Sequence, residues 1–425
     1  MSLSLMKWID QYLGALLCLA LYLVERLRRG RRARGEPRKI LFIKLWGMGS
    51  ILNAVPAFAA AKFTHHPSPI VGAVSEHAQS KHAQFTEVYL LTFKRNSQIC
   101  ELLNVVDGVL FLDNPKPSAA FLLNLLPLIQ RLRRERFDVV VDLEFFVRFT
   151  AILTYLTDAP CRVGFDSPKW WRSSLYTHVA PFRVHAHITD CFLDLARCLG
   201  ASPTLGGEGT PCRSESVPAL KRFPISQFPD FPKPLVCLNP NASEVSPLSR
   251  WMPENFARLA DELIDRYGVT VGLTGAPNEG AFVESVRRRA RHADEILVFA
   301  GKTTIPQLIA LLQRCRVFIT NDSGPMHLAA ALGVPTIALF GPDTPTRYGP
   351  RGAQHTIFYK PPPCSPCYNF YDNKSNRCRN PVYQCCLKSI TVEEVVAAAE
   401  KYLKQDEQEG KSDNHLSSSI SCSSF

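Results

Sequence analysis

The chain has 425 residues, 46% of them hydrophobic, which excludes a wholly disordered protein and leaves room for two or three domains with substantial cores. Its 49 Lys and Arg against 38 Asp and Glu give a net charge of +11, but eight basic residues fall between Glu25 and Lys39, so the excess is a local patch. Such a patch does not call for nucleic acid as a partner. The 14 cysteines are mostly scattered, as in a reduced compartment, which excludes a small disulfide scaffold.

Residues 1–37 read as one helix and a basic linker. The apolar core of "MKWIDQYLGALLCLALYLVERL" runs from Tyr12 to Val24, about thirteen residues, whereas a spanning helix needs roughly 20. No small-residue cleavage site follows, which argues against a secretory signal peptide. Trp8 and Tyr12 at one end and arginines at the other suit a helix lying in a membrane interface over anionic lipid. A short spanning anchor and a packed core helix are the alternatives. In either membrane case the positive flank keeps the main body on the cytoplasmic side.

From Lys39 apolar runs alternate with amphipathic segments. "KILFIKL", "PIVGAV", "GVLFL", "FDVVVDL" and "CRVGF" are expected strands, with helices at Ser50–Phe63 and Ala119–Arg134 among those between them. This first Rossmann-like domain is placed at 38–205. A Pro-, Gly- and Ser-rich linker occupies 206–232. The alternation restarts with "LVCLNP", "VTVGLTG", "ILVFAG", "RVFITND" and "PTIALFG". Helices are expected at Pro253–Tyr267, Glu279–Arg291, Ile305–Gln313 and from Pro325. This second domain is placed at 233–390, a helix at 391–404 (Val392–Leu403), and a polar tail at 405–425 expected to be disordered. The fold class is therefore α/β, two doubly wound domains facing a cleft, with ligands outside the carboxyl ends of the strands.

Two turns on strand ends draw the chemistry. The first is "GMGS" after the opening strand. Gly49 is expected to permit the turn and Ser50 to cap the next helix. A dinucleotide loop fits poorly, because Leu52 stands where the last Gly of G-x-G-x-x-G belongs. The second is "NDSGPMH", where a strand ends in Asn321-Asp322, Ser323-Gly324 turn, and Pro325 is expected at the first helical position. The amides and dipole of that helix end form an anion site, with His327 in the first turn. "LFGPDTPTRYGP" adds a second Gly/Pro loop on the same edge. Asn239, Asn241 and Ser243 follow another strand end and either hydrogen-bond a phosphate or build a turn. Arg250 is placed to neutralise a leaving diphosphate, or is a surface arginine.

"NDSGPMHLAAALGVPTIALFGPDTPTRYGP" resembles the signature of glycosyltransferase family 9, the heptosyltransferase family. "RWMPENFARLADEL", "LTGAPNE", "FAGKTTIPQLIALL", "ILFIKLWGMGSILNAVPAFAAAK" and "DVVVDLEFFVRFTAILTYL" with "RVGF" extend the similarity to roughly residues 38–400. The resemblance implies a GT-B fold, with the acceptor on the N-terminal domain and a nucleoside-diphosphate sugar on the C-terminal one. It also implies inverting transfer without a metal or other cofactor. The matching positions make Asp322, Ser323, Gly324, Pro325 and His327 donor contacts. Arg250 would meet the diphosphate; Glu279 would meet the nucleotide's ribose or only start its helix, and Lys302 would meet the base or nothing. The family's first-loop carboxylate is missing, because Ser50 stands there.

An inverting transferase needs a base for the acceptor hydroxyl. Glu144 and Asp142, at the carboxyl end of "VVVDLEF", are the expected substitutes, with Glu144 preferred. Pairing with Arg148 is the bland alternative for Glu144. His185 and His187 precede the last helix of the first domain and either reach the cleft or start that helix. Cys364, Cys367, Cys378 and Cys385, with Cys386, either close a structural zinc site, form a disulfide, or stay free thiols.

The expected function is transfer of a heptose or related sugar, ADP-heptose being one candidate donor, to a lipid-linked saccharide. The partners are then the donor, the lipid-linked glycan and the cytoplasmic face of the inner membrane, with the oligomeric state open. The rival is an inactive scaffold of the same fold.

Overall fold

The computed structural model describes residues 3–27, 38–63, 87–113, 119–145, 147–167, 171–199, 231–242, 247–352, 354–367 and 377–404. The expected strand at 69–74, the basic run at 28–37, nearly all of the linker and the tail lie outside them. The chain divides into two compact units, Met1–Lys221 and Arg222–Phe425.

The first unit holds strands β1 (Lys39–Ile43), β2 (Glu87–Phe93), β3 (Gly108–Leu112), β4 (Val139–Asp142), β5 (Cys161–Phe165) and β6 (His178–Ala180). Its helices are α1 (Leu3–Leu27), α2 (Met48–Phe63), α3 (Ser97–Cys100), α4 (Ala119–Glu135), α5 (Arg148–Leu156) and α6 (Ile188–Arg197). The strands are all parallel, in the order β3-β2-β1-β4-β5-β6. Strands covered on both faces read as unbroken apolar runs, and Ile40 to Ile43 are fully buried. One face packs Leu41, Ile43 and Val140 on Leu132 of α4. On α2, Phe58 packs against Phe42 with ring centroids 4.8 Å apart and the planes tilted by 57°. Strands β2 and β6 were not expected.

The second unit repeats the plan with β7 (Leu235–Asn239), β8 (Thr270–Leu273), β9 (Leu297–Val298), β10 (Cys315–Asn321), β11 (Thr336–Phe340) and β12 (His355–Tyr359). Its helices are α7 (Pro253–Tyr267), α8 (Gly280–Arg287), α9 (Ile305–Gln313), α10 (Gly324–Ala331), α11 (Pro345–Tyr348), α12 (Cys385–Lys388) and α13 (Val392–Leu403). The order is β12-β11-β10-β7-β8-β9, again all parallel. Helix α7 opens on Pro253 and stops at Gly268, whose φ of 57° is the left-handed cap position. Trp251, fully buried, donates its indole N–H to Ile390 O at 3.1 Å and so ties the α7 entry to the segment before α13.

In both sheets the first strand lies beside the fourth, so successive crossovers leave in opposite directions. Each unit therefore has a topological switch point, β1/β4 in the first and β7/β10 in the second, where such sheets open a crevice for ligands.

Two boundaries differ from expectation. Helix α13 is not an appendage, since Val395, Val396 and Ala399 enter the second unit's core. Helix α1 is 25 residues long, well beyond the thirteen-residue apolar run, because its polar residues continue the turn geometry at both ends. Trp8–Leu27 is long and apolar enough, by length and composition, to cross a membrane. Yet Cys18, Leu21 and Tyr22 pack with Ala151, Tyr155, Leu175 and Tyr176 of the first unit.

Candidate active site

At the β1/β4 switch point the strand ends deliver Lys44 and Asp142–Glu144 side by side, with Ile43 in register with Asp142. Glu144 Oε1 accepts from Lys44 Nζ at 2.7 Å, Leu45 N at 2.8 Å and Trp46 N at 3.1 Å. The pair is almost wholly buried. Asn96 Nδ2 adds a bond to Leu45 O at 3.1 Å. The first loop is thus held by a carboxylate from the neighbouring strand rather than by an acid of its own. Ser50 lies inside the first turn of α2, which begins at Met48, so it is not the N-cap. Gly47, at φ 78°, makes the turn that was expected of Gly49.

Asp142 has a different role from the one expected. It is fully buried, and its oxygens accept from Glu144 N at 2.9 Å, Arg172 Nη2 at 3.1 Å and Tyr176 Oη at 2.6 Å. Burial pushes its carboxyl up and Arg172 pulls it down. No acceptor hydroxyl reaches a group so enclosed, so Asp142 anchors the loop and is not a base. Arg172, also fully buried, donates to Phe165 O at 3.0 Å and Val147 O at 3.2 Å and bonds Glu144 O, closing the loop from below. Arg148 pairs with Asp10 rather than with Glu144. His187 caps α6, its Nδ1 accepting from Thr189 N at 3.2 Å, and His185 is exposed.

At the β7/β10 switch point Asn239 donates to Thr320 Oγ1 and Ser323 Oγ, each at 3.1 Å. Asn241 donates to Asn239 Oδ1 at 3.2 Å and Thr274 O at 3.0 Å. Asn321 Nδ2 donates to Pro240 O and Asn241 O at 3.0 and 3.1 Å, while its Oδ1 accepts from Trp251 N at 2.9 Å. Gly275 leaves room for this lattice: a Cβ there would lie 2.7 Å from Asn241 Nδ2. Asn241 Oδ1 in this lattice, and separately Arg250 Nε just before Trp251, are buried with no hydrogen-bond partner among the described residues. Such atoms are costly unless a ligand or solvent meets them.

Ser323 sits at the N-cap of α10 in extended conformation without capping the helix through its side chain. Gly324 opens the helix and Pro325 follows as its second residue, one place later than expected; His327 is buried in the first turn. Burial and the charge of Asp343 push Asp322 up to about 8. Burial likewise raises Asp343, while the Thr344 amide and Arg347 pull it back. Helix α10 therefore starts with amides that no side chain caps, beside two carboxyls that resist ionisation, an end suited to an anion.

The remaining expected residues lie as follows. Glu279 accepts from Ala276 N at 2.8 Å, a local turn role. Lys302 is exposed behind Gly301. Arg250 stacks on Phe282 at 4.7 Å. Ser243 lies outside the described residues. The cysteines at 364, 367, 378 and 385 are free, and Cys364, Cys378 and Cys385 add to the burial that raises Cys367. Among the described residues no three His, Cys, Asp or Glu side chains stand at metal-ligand spacing, so the zinc alternative finds no assembled ligand set there. Sequence reasoning missed Lys44, Arg172, Asn321 and Asp343. A lysine closing the buried run "ILFIK" is a readable signal for the first; Arg172 had none, being remote in sequence from the loop it holds.

Residues 125–376 match the model of glycosyltransferase family 9 (heptosyltransferase). The chain is 28% identical to lipopolysaccharide heptosyltransferase 3 of Escherichia coli K12 over 296 residues, 67% of this chain and 79% of that protein. It is 33% identical to lipooligosaccharide heptosyltransferase 2 of Haemophilus influenzae over 148 residues, which spans only 42% of the length of that relative. The fold resembles that of the E. coli ADP-heptose lipopolysaccharide heptosyltransferase II at a TM-score of 0.64 and 20% identity, covering 87% of this chain and 99% of that one. A family 9 glycosyltransferase of Veillonella parvula gives 0.62 at 23% identity, covering 88% and 99%. The family match covers more than half of the chain, including both the β4 loop and the α10 start, and this protein belongs to glycosyltransferase family 9.

Proposed function

We propose that the protein transfers a heptose or closely related sugar from a nucleoside-diphosphate donor, ADP-heptose first among them, to a lipid-linked saccharide at the cytoplasmic face of the inner membrane. The observation carrying this lies in the second unit, where α10 starts without a side-chain cap at Ser323, Asn239 joins Ser323 to Asn241, and Asn241 Oδ1 and Arg250 Nε are buried without a hydrogen-bond partner among the described residues. Amides and dipole stabilise the diphosphate as it leaves, and Arg250 adds a cation. The relatives' printed names, heptosyltransferases of lipopolysaccharide and lipooligosaccharide, supply the sugar and the acceptor class.

Transfer proceeds with inversion and without a metal, as the family resemblance implies. The acceptor oxygen forms its bond to the anomeric carbon as the bond to the diphosphate oxygen breaks. The hydroxyl proton passes to Glu144, through Oε2, because Oε1 already meets three donors. The basic run and α1 keep the protein at the lipid surface. The Lys44 contact favours one rival, a sugar-nucleotide-binding scaffold without turnover, since it occupies the candidate base.

Titrating the full chain with ADP-heptose, and then adding a core lipid acceptor, separates the two readings. Binding with turnover supports transfer; binding with no turnover on any acceptor supports the scaffold.

A further inference from the structure

Helix α5 starts without a cap of its own, since Val147 offers no side-chain acceptor. The cap comes instead from α1. Asp10 Oδ1 accepts from Arg148 N at 2.9 Å and Phe149 N at 3.1 Å, the first orphan amides of α5. Arg148 returns a contact, donating to Asp10 O at 3.4 Å. The crossing is close: a Cβ on Gly14 would stand 3.2 Å from Arg148 Cβ. Farther along, Glu25 Oε1 accepts from Arg162 Nη2 at 2.8 Å. The stripe Asp10, Gly14, Cys18, Glu25, at helical spacing, is thus the docking face of α1.

The opposite face is apolar and exposed. Trp8, Tyr12, Leu13, Leu16, Leu17 and Val24 each show more than two-fifths of their surface. The helix then runs into six arginines between Arg26 and Arg34. An exposed apolar helix face continued by a basic run is complementary to an anionic bilayer, with its hydrocarbon and its negative headgroups. The docked face also rules out a lone spanning rod: burying Asp10 and Glu25 in lipid would break their contacts with α5 and Arg162.

The β4–α5 loop connects this helix to the candidate base. Val147 O, beside the capped amides, accepts from Arg172, which also holds Asp142 and the Glu144 carbonyl. We propose that Asp10 is a positioning residue for Glu144, and that α1, seated in-plane on an anionic lipid surface by its outer face, orders the acceptor-side loop through its inner one. This deepens, and for its catalytic consequence rests on, the transferase reading above.

The test uses the full chain, vesicles of equal parts phosphatidylglycerol and phosphatidylcholine, and three variants. Asp10→Ala speeds amide hydrogen exchange over 147–150 about tenfold, while Asp10→Asn, which still accepts, stays near wild type. Exchange in the second unit is unchanged in both, showing that the fold survives. Vesicles slow exchange over 147–150 in the wild type. The triple variant Leu13→Ser, Leu16→Ser, Leu17→Ser loses vesicle binding at least about tenfold but keeps wild-type exchange without lipid. With donor and acceptor supplied, Asp10→Ala lowers kcat and leaves donor KM unchanged, and Asp10→Asn restores kcat. Unchanged exchange in Asp10→Ala, or full vesicle binding by the triple variant, overturns the proposal. Exchange and vesicle binding need no donor, so a protein that shows both but transfers no sugar refutes the transferase reading alone.

Discussion

At Glu144 one carboxylate oxygen meets an ammonium and two backbone amides, all within 3.1 Å. On the proposed reading this residue replaces the acid missing at Ser50, its carboxylate reaching the first loop from just beyond β4. Removing one partner of a buried pair leaves the other charge uncompensated, so Lys44→Ala should cost about 3–5 kcal/mol in denaturant unfolding. Glu144→Gln keeps the acceptor for the two amides but not the basicity, and should lower kcat about 100-fold or more with donor affinity unchanged. Full turnover in that variant would remove Glu144 as base. Asp322 titrates in the opposite sense from a salt-bridged carboxylate. Its folded value, raised to about 8, lies above the unfolded one, so the folded state keeps a proton that the unfolded chain releases. Stability from this group is complete below about pH 4 and is lost as pH rises toward about 8. The melting temperature should therefore fall between about pH 5 and about pH 8.5, and fall less in Asp322→Asn; an equal fall in both would contradict the assignment. The turn "NDSGPMH" was legible as a strand end that opens a helix. Lys44 and Arg172 were not singled out, because their partners are brought to them only by the sheet order.

At the scale of elements the caps carry the local logic. Helix α13 has a capping box, Thr391 accepting from Glu394 N while Glu394 accepts from Thr391 N, and Glu394 also holds Lys360 at 2.6 Å. Thr391→Ala should lower stability by about 1 kcal/mol, read as a shift in the denaturant midpoint at constant slope. The alternation of apolar runs and amphipathic segments was enough to read α7, α9 and α13 to the residue, and β1, β3, β4 and β10 within a residue or three. What escaped were β2, β6 and β12. The run "EVYLLTF" of β2 carries an apolar signal that was passed over in favour of 69–74. β6 is three residues long, and β12 is a half-exposed edge strand whose polar positions hide its pattern. The packing of α1 was illegible for a physical reason: its docking stripe is made of Asp, Gly, Cys and Glu, not of the leucines that dominate its composition.

For the whole molecule, the two sheets of identical strand order place one candidate site at each switch point, and the family match covers the β4 side of the first and both strands of the second. Membrane association should depend on salt, because eight basic residues against two Glu, about half of the net charge of +11, lie between Glu25 and Lys39 beside α1. Binding to anionic vesicles should weaken severalfold between about 0.05 and 0.5 M salt and fail to reappear on neutral ones; salt-independent binding would place the contact elsewhere. On the proposed reading, the second unit binds a nucleoside-diphosphate sugar at the start of α10. Calorimetric titration of the full chain with ADP-heptose, against the same titration of Asn241→Ala with Arg250→Ala, tests it most directly. Saturable binding by the wild type, weakened at least about tenfold in the double variant, is the predicted result. Wild-type binding that the double variant retains in full, or no binding of any nucleoside-diphosphate sugar, would contradict it.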